Sequence, residues 1–418
     1  MEQIIELSQL SSGAENSKLL QDAVDKGGEI SVMTPGVYKL TDTIMIGDHT
    51  HLYFAPGVYI EREPREDGMN GYAFINKGAY TGEENCDISI EGLYLSTRGV
   101  ESTHPAVCSK NIPGLRAHVC FVYIRDLVLR NITVLELNEK DYGVQISDFR
   151  NVLVEYLRVE GNKDGIHFGP GKGFVVRHAV FRTFDDPVAL NGSDYSTSNP
   201  HIGWIEDGLI EDAYDLADDD TTGFFARLLA GAWVDWFSGM EVQHSDAVVH
   251  NGKIYRVCMP PDGRKFISNT PPTHESGYAE LDGICWCCQQ NDTPYSGGCR
   301  NITFRNIYLQ KKRFAAFGLE MDDFRYLRSY YPGAVIPVQS GIMLENIYVQ
   351  GEIEHLIRDH APLGDITIEN CDMKNTNLFF TKRNIPGLEY PVCKIKFKNV
   401  RSNGAPIVGD IDFEIEQG

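Results

Sequence analysis

The sequence predicts an all-β fold, a right-handed parallel β-helix with a short N-terminal capping helix and a small inserted β-module. Three observations predict it. A pattern of apolar, any, apolar, any, often Asn, apolar recurs eight times: ISIEGL from Ile88, LVLRNI from Leu127, VLVEYL from Val152, FVVRHA from Phe174, ITFRNI from Ile302, IMLENI from Ile342, ITIENC from Ile366 and IKFKNV from Ile395. Each copy alternates apolar and polar positions, as a strand with one buried face does. Neighbouring copies are often 22 to 30 residues apart, and most intervals lack the helix that a strand–helix–strand unit requires. Short strands joined by turns at this period describe a coil stacking on itself.

The elements follow in order. Residues 16–26 (NSKLLQDAVDK) read as an amphipathic helix that covers the open end of the stack and its unpaired strand edge. MTPGVYKL and FAPGVYIE come next, each with a Pro-Gly turn signal. In the middle, Tyr142-Gly-Val-Gln-Ile, Asp164-Gly-Ile-His-Phe and Asp186-Pro-Val-Ala-Leu begin 22 residues apart each time. One coil is a step of about 4.8 Å, so Asp164 and Asp186 are expected to stack as neighbours. The recurrent Asn131, Asn306, Asn346, Asn370 and Asn399 suit a turn, where Asn tolerates left-handed dihedrals; the Asn-Ile-Thr triplets at Asn131 and Asn301 are read the same way rather than as glycosylation sites. Residues 231–288 break the pattern, carry Trp233, Trp236 and Trp286, and hold the strong hairpin signal Asn251-Gly252. The chain therefore divides into 1–230 (cap and coils), 231–288 (inserted module) and 289–418 (further coils).

A net charge of −21 argues against a nucleic-acid partner, because phosphate contacts need a Lys/Arg surface. No stretch approaches the roughly 18 apolar residues of a membrane helix, and no membrane partner is expected. The N-terminus, MEQIIELSQL, lacks the basic and apolar regions of a secretory leader, so the expected location is cytoplasmic, or secreted with the leader removed. Most of the ten Cys, Cys108 among them, stand alone in apolar patterns and read as buried thiols. Cys285, Cys287, Cys288 and Cys299 lie close together, but their spacing matches no standard zinc pair; packing or a disulfide is expected and no metal is assigned.

Asp is a poor strand residue, yet Asp164 and Asp186 occupy equivalent points of adjacent coils and Asp185 adjoins them. Close carboxylates raise one another's pKa, so one can hold a proton while another stays ionised. That is the division of labour glycoside hydrolysis needs: one carboxyl protonates the leaving oxygen, the other activates water. Successive strand residues face opposite ways, so the chain must bend for both Asp185 and Asp186 to reach one side, and Pro187 suits such a break.

At these residues the sequence resembles the polygalacturonase family, glycoside hydrolase family 28 of the pectin-lyase-like β-helix superfamily. The family's Asn-x-Asp segment is matched by Asn162-Lys163-Asp164. Its Asp-Asp pair one coil later is matched by Asp185-Asp186, and its Pro-Gly-x-Tyr turn by Pro35-Gly36-Val37-Tyr38. The resemblance implies an inverting hydrolase without a cofactor, in which Asp185 is the general acid and Asp164 and Asp186 hold and deprotonate the water. Two family features differ. There is no Gly-His-Gly segment one coil after the pair, where Asp207-Gly208 is expected, and His201-Ile-Gly203 is the nearest imitation. There is also no Arg-x-Lys pair for a substrate carboxylate; Lys311-Lys312-Arg313 sits in another context, which points to a neutral or differently substituted sugar. His167, beside Asp164, His201, and Asp207 on the expected next coil are candidate substrate-binding residues.

The insertion resembles small chitin-binding and phage-tail carbohydrate-binding modules through Val248-Val-His-Asn-Gly-Lys-Ile-Tyr255 and Asp282-Gly-Ile-Cys-Trp286, and Trp236 is its candidate sugar-stacking residue. Lying close in sequence to the Asp trio, it is also a candidate wall for the groove. The expected partner is a polysaccharide or oligosaccharide, bound by a monomer or a homotrimer. Two other readings share the fold: a lyase or epimerase, whose acidic trio would hold Ca²⁺, and a glycan-binding spike without turnover.

Overall fold

The computed structural model describes residues 3–102, 112–218, 222–381, 385, 388, 390, 391, 393–407 and 411–413; Cys108 lies outside them. The chain is a right-handed parallel β-helix, with its coils joined in one 26-stranded sheet. One ladder runs through the stack: Ile88, Leu127, Val152, Phe174, Gly208, Ile302, Ile342, Ile366 and Ile395 are successive in-register partners. All eight sequence copies lie on it. A ninth rung, Gly208-Leu-Ile-Glu-Asp-Ala, escapes the pattern because it opens on Gly. A Cβ at Gly208 would sit 2.2 Å from the Phe174 ring, so the aromatic of the previous rung fills the space that an apolar side chain takes elsewhere.

The inward positions form one continuous core, including the contacting rings Phe149, Phe168 and Phe174, with centroids 4.5–5.8 Å apart. Each such ring contributes about 1.5–3 kcal/mol of burial. Asn131, Asn306, Asn346, Asn370 and Asn399 all have φ between 51° and 54°. Their amides stack at the corner: Asn346 donates to Asn306 at 2.7 Å and Asn399 to Asn370 at 2.9 Å.

The capping helix spans Gly13–Val24, three residues earlier than the apolar spacing indicates, because Ser12 and Glu15 form a capping box. It closes the stack's open end. Ser17 Oγ accepts from the N–H groups of Thr41 and Asp42, and Gln21 Oε1 from Met45 N–H, so edge donors find partners. The module's strands run from Val234 to Gln290, as a five-stranded and a two-stranded sheet around Met240, Val248, Tyr255 and Trp286. Asn251 and Gly252 turn its hairpin with φ of 48° and 72°. Gly231 and Ala232, which enter it, pair antiparallel with Gly297 and Ser296, which leave it. Cys285, Cys287 and Cys288 lie in its strand Ile284–Gln290, whereas Cys299 is buried in the coil core, donating to Leu190 O. The four cysteines therefore do not converge, and none of the described cysteines is in a disulfide.

Candidate active site

The expected 22-residue register holds: Val144 pairs with Ile166 and Ile166 with Val188, which brings Asp164 and Asp186 onto adjacent rungs. The strand is interrupted between Thr183 and Val188, and in that break Asp185 and Asp186 turn to the same side. Carboxyl oxygens of Asp164, Asp185 and Asp186 all lie within 4.8 Å of one another.

Their surroundings differ. Lys163, the rung-neighbour of Asp185, donates to Asp185 and stands 3.9 Å from Asp164 Oδ1. Asp164 is 4% exposed; its Oδ2 meets His167 Nδ1 at 3.1 Å, while its buried Oδ1 has no hydrogen-bond partner. Burial resists its charge, but Lys163 and His167 outweigh that and hold its carboxyl below the usual range. Burial and the charge of Asp164 raise Asp185, against the pull of Lys163. Burial, then the charges of Asp185 and Asp164, push Asp186 well above the usual range, although Phe224 N–H donates to its Oδ1 at 2.7 Å. The surroundings thus push the carboxyl of Asp164 one way and those of Asp185 and Asp186 the other.

The trio opens, through Asp185 and Asp186, onto a cleft of about 1130 Å³. Its floor continues on the next rung with Gly223 and Phe224, which sequence spacing alone misplaces. The step from Asp186 to Phe224 is 38 residues, not 22, because the chain makes an excursion after Asn191. Asp207 consequently belongs to another corner of the coil. It is exposed at φ 58°, accepts from Asn301 at 3.0 Å and pairs with Lys172, as a turn tie does. His201 is buried with Asp148 and Tyr123 and does not line the cleft. Trp236 donates to Ser268 Oγ at 2.8 Å and packs on His250 within the module. Of the four candidate binding residues, His167 alone joins the trio, and it does so as a buried support: its ring stacks on Tyr142 at 4.3 Å.

Several site residues carried no sequence signal. Arg227, in register with Ala189 and through it His167, pairs with Asp322 at 2.6 Å. Lys311 and Arg313 prop the acidic turns. Lys311 Nζ donates to Thr183 O, just before the Asp pair, and Arg313 Nη1 to Thr222 O, just before Gly223, at 2.9 Å. Arg313 also donates two buried hydrogen bonds to the Asp215 carboxylate, at 2.7 and 3.1 Å. Tyr195 and Phe324 line the cleft in place of the module, which buttresses that side through an Arg328–Asp246 ion pair.

Fold and site together define a parallel β-helix protein with a three-carboxylate cleft. No protein-family model and no curated protein matches the chain. Solved structures do. The Yersinia enterocolitica family 28 exopolygalacturonase is 14% identical over 97% of this chain and 80% of its own, with a TM-score of 0.47. The Aspergillus tubingensis endo-xylogalacturonan hydrolase is 9% identical over 100% and 99%, also at 0.47. The Streptococcus pneumoniae surface adhesin PfbA is 11% identical over 100% and 96%, at 0.44. The strand register, not these likenesses, carries the fold.

Proposed function

We propose that the protein hydrolyses a glycosidic bond of a polysaccharide or oligosaccharide by inverting acid–base catalysis. The observation that carries this reading is the meeting of three carboxyls from two successive coils, Asp185 and Asp186 lining an open cleft and Asp164 buried behind them, with the pKa of Asp164 lowered and those of the pair raised. Asp185, the most open of the three at 18% side-chain exposure, delivers the proton to the leaving oxygen, and Asp186 shares that proton with it. Asp164 takes the proton from water as the water attacks the anomeric carbon; the acid and base oxygens lie within 4.8 Å of each other, closer than the roughly 6.5–9.5 Å usual for inversion, so the product's anomeric configuration is the deciding readout. His167 fixes the orientation of Asp164. A calcium-assisted lyase or epimerase would need these oxygens for the ion, and the Lys163 ammonium already serves Asp185 and faces Asp164.

Digestion of a glycan library by wild type and by Asp185→Asn tests the proposal. The expected result is hydrolysed product of inverted anomeric configuration by NMR, and a rate loss of roughly 10²–10⁴ in the variant. Unsaturated product, or an unaffected variant, refutes it.

A further inference from the structure

We infer that Phe314 is the stacking platform of a second sugar subsite, and that the chain lying on it is neutral rather than a polyuronate; this rests on the hydrolase reading above. The rung containing Asp185 continues through Gly223 to Phe314, since Val188 pairs with Ala226 and Ala226 with Phe317. Phe314 therefore stands two rungs, about 9.6 Å, from Asp185 along the cleft. At the position between them the rung carries Gly223, so no side chain rises between the acids and the ring. Phe314 lines the cleft and is 43% exposed, yet it is braced by Phe380 at 5.1 Å and His355 at 4.9 Å. Large exposed aromatics held rigid in a cleft suit the apolar face of a pyranose. An extended glycan advances about one unit per rung. A bond broken over Asp185 places the first sugar over Gly223 and the second on Phe314, so a trisaccharide is the shortest chain that uses all three.

The charge around this path selects against carboxylated sugars. Each arginine lining the cleft is already committed: Arg227 to Asp322, Arg313 to Asp215, and Arg358 to Glu320, with its guanidinium also lying over the Phe224 ring at 4.4 Å. Lys312 is paired with Glu352, and Glu354, the rung-neighbour of Phe314, adds a further carboxylate to the lining. A uronate there meets acids and displaces an existing ion pair at every cation but Lys374.

The test is a glycan array of neutral and uronic-acid oligosaccharides of graded length, probed with full-length Asp185→Asn so that binding proceeds without turnover. Neutral chains are expected to bind, with a rise in affinity at the trisaccharide. Adding Phe314→Ala is expected to weaken those chains about tenfold, or 1.4 kcal/mol, and Phe314→Trp to restore them. Unchanged binding by the alanine variant, or retention of uronates alone, overturns the inference. If wild type leaves the bound neutral chains uncut while Phe314→Ala still releases them, the hydrolase reading falls and the subsite stands.

Discussion

Gly223→Ala is the most discriminating substitution at the acid cluster. A Cβ at Gly223 would lie 2.3 Å from Asp186 Oδ1 and 2.4 Å from Asp185 Oδ1, where ordinary contact begins at 3.4 Å. Both carboxyls must retreat by about 1 Å, a displacement that costs roughly 10²-fold in rate when it separates reacting groups. That corresponds to about 2.7 kcal/mol in the barrier. The residue also has φ +66°, which adds about 1–2 kcal/mol of backbone strain for alanine. The folded state bears this strain and the displaced hydrogen bonds of Asp185 and Asp186, so the melting temperature falls by several degrees while the fold is kept. The assay is release of reducing ends from whichever glycan wild type cleaves, with near-ultraviolet circular dichroism to confirm the fold. A folded variant turning over within threefold of wild type would mean that these carboxyls are turn ties and not the reacting groups.

Two further changes probe the surroundings. Lys163→Gln removes the cation that holds the carboxyls of Asp164 and Asp185 down. Asp164 must be ionised and the Asp185–Asp186 pair protonated, so both limbs of the pH–rate profile are expected to move to higher pH, costing roughly tenfold at a fixed pH on the acid limb; a profile that stays in place contradicts the assigned charges. Arg313→Ala leaves Asp215 buried without its partner and is expected to cost about 3–5 kcal/mol, read as a fall in the denaturant midpoint, with activity lost as the Thr222–Gly223 turn loosens.

The solenoid was legible because its repeat is written in alternating apolar residues, and the Asp164–Asp186 step because two coils of equal length precede it. Legibility ended where coil length changed. The excursion after Asn191 stretches one step from 22 to 38 residues, so counting forward from Asp185 lands on Asp207 at a distant corner, while the true successors are Gly223 and Phe224. His201 enters through a loose likeness to Gly-His-Gly and Trp236 through residue type; each instead finds a partner in its own neighbourhood, Asp148 and Ser268. Lys311 and Arg313 gave no clue to their role, because nothing in the sequence reveals that their ammonium and guanidinium groups turn inward to hold backbone carbonyls. Gly208 hid a whole rung by lacking a side chain.

The antiparallel junction of Gly231 and Ala232 with Ser296 and Gly297 has a topological consequence. Asp207 and Asn301 are 94 positions apart and yet adjacent, a closure that is entropically costly for a free loop. With the ends of the inserted module clasped together, most of that contour is already spanned, and the two arms of the solenoid meet across a short gap. The module thus enters and leaves the solenoid at one covalent junction, and side-chain ties such as Arg256 to Asp194 O and Arg328 to Asp246 seat it against the neighbouring coils.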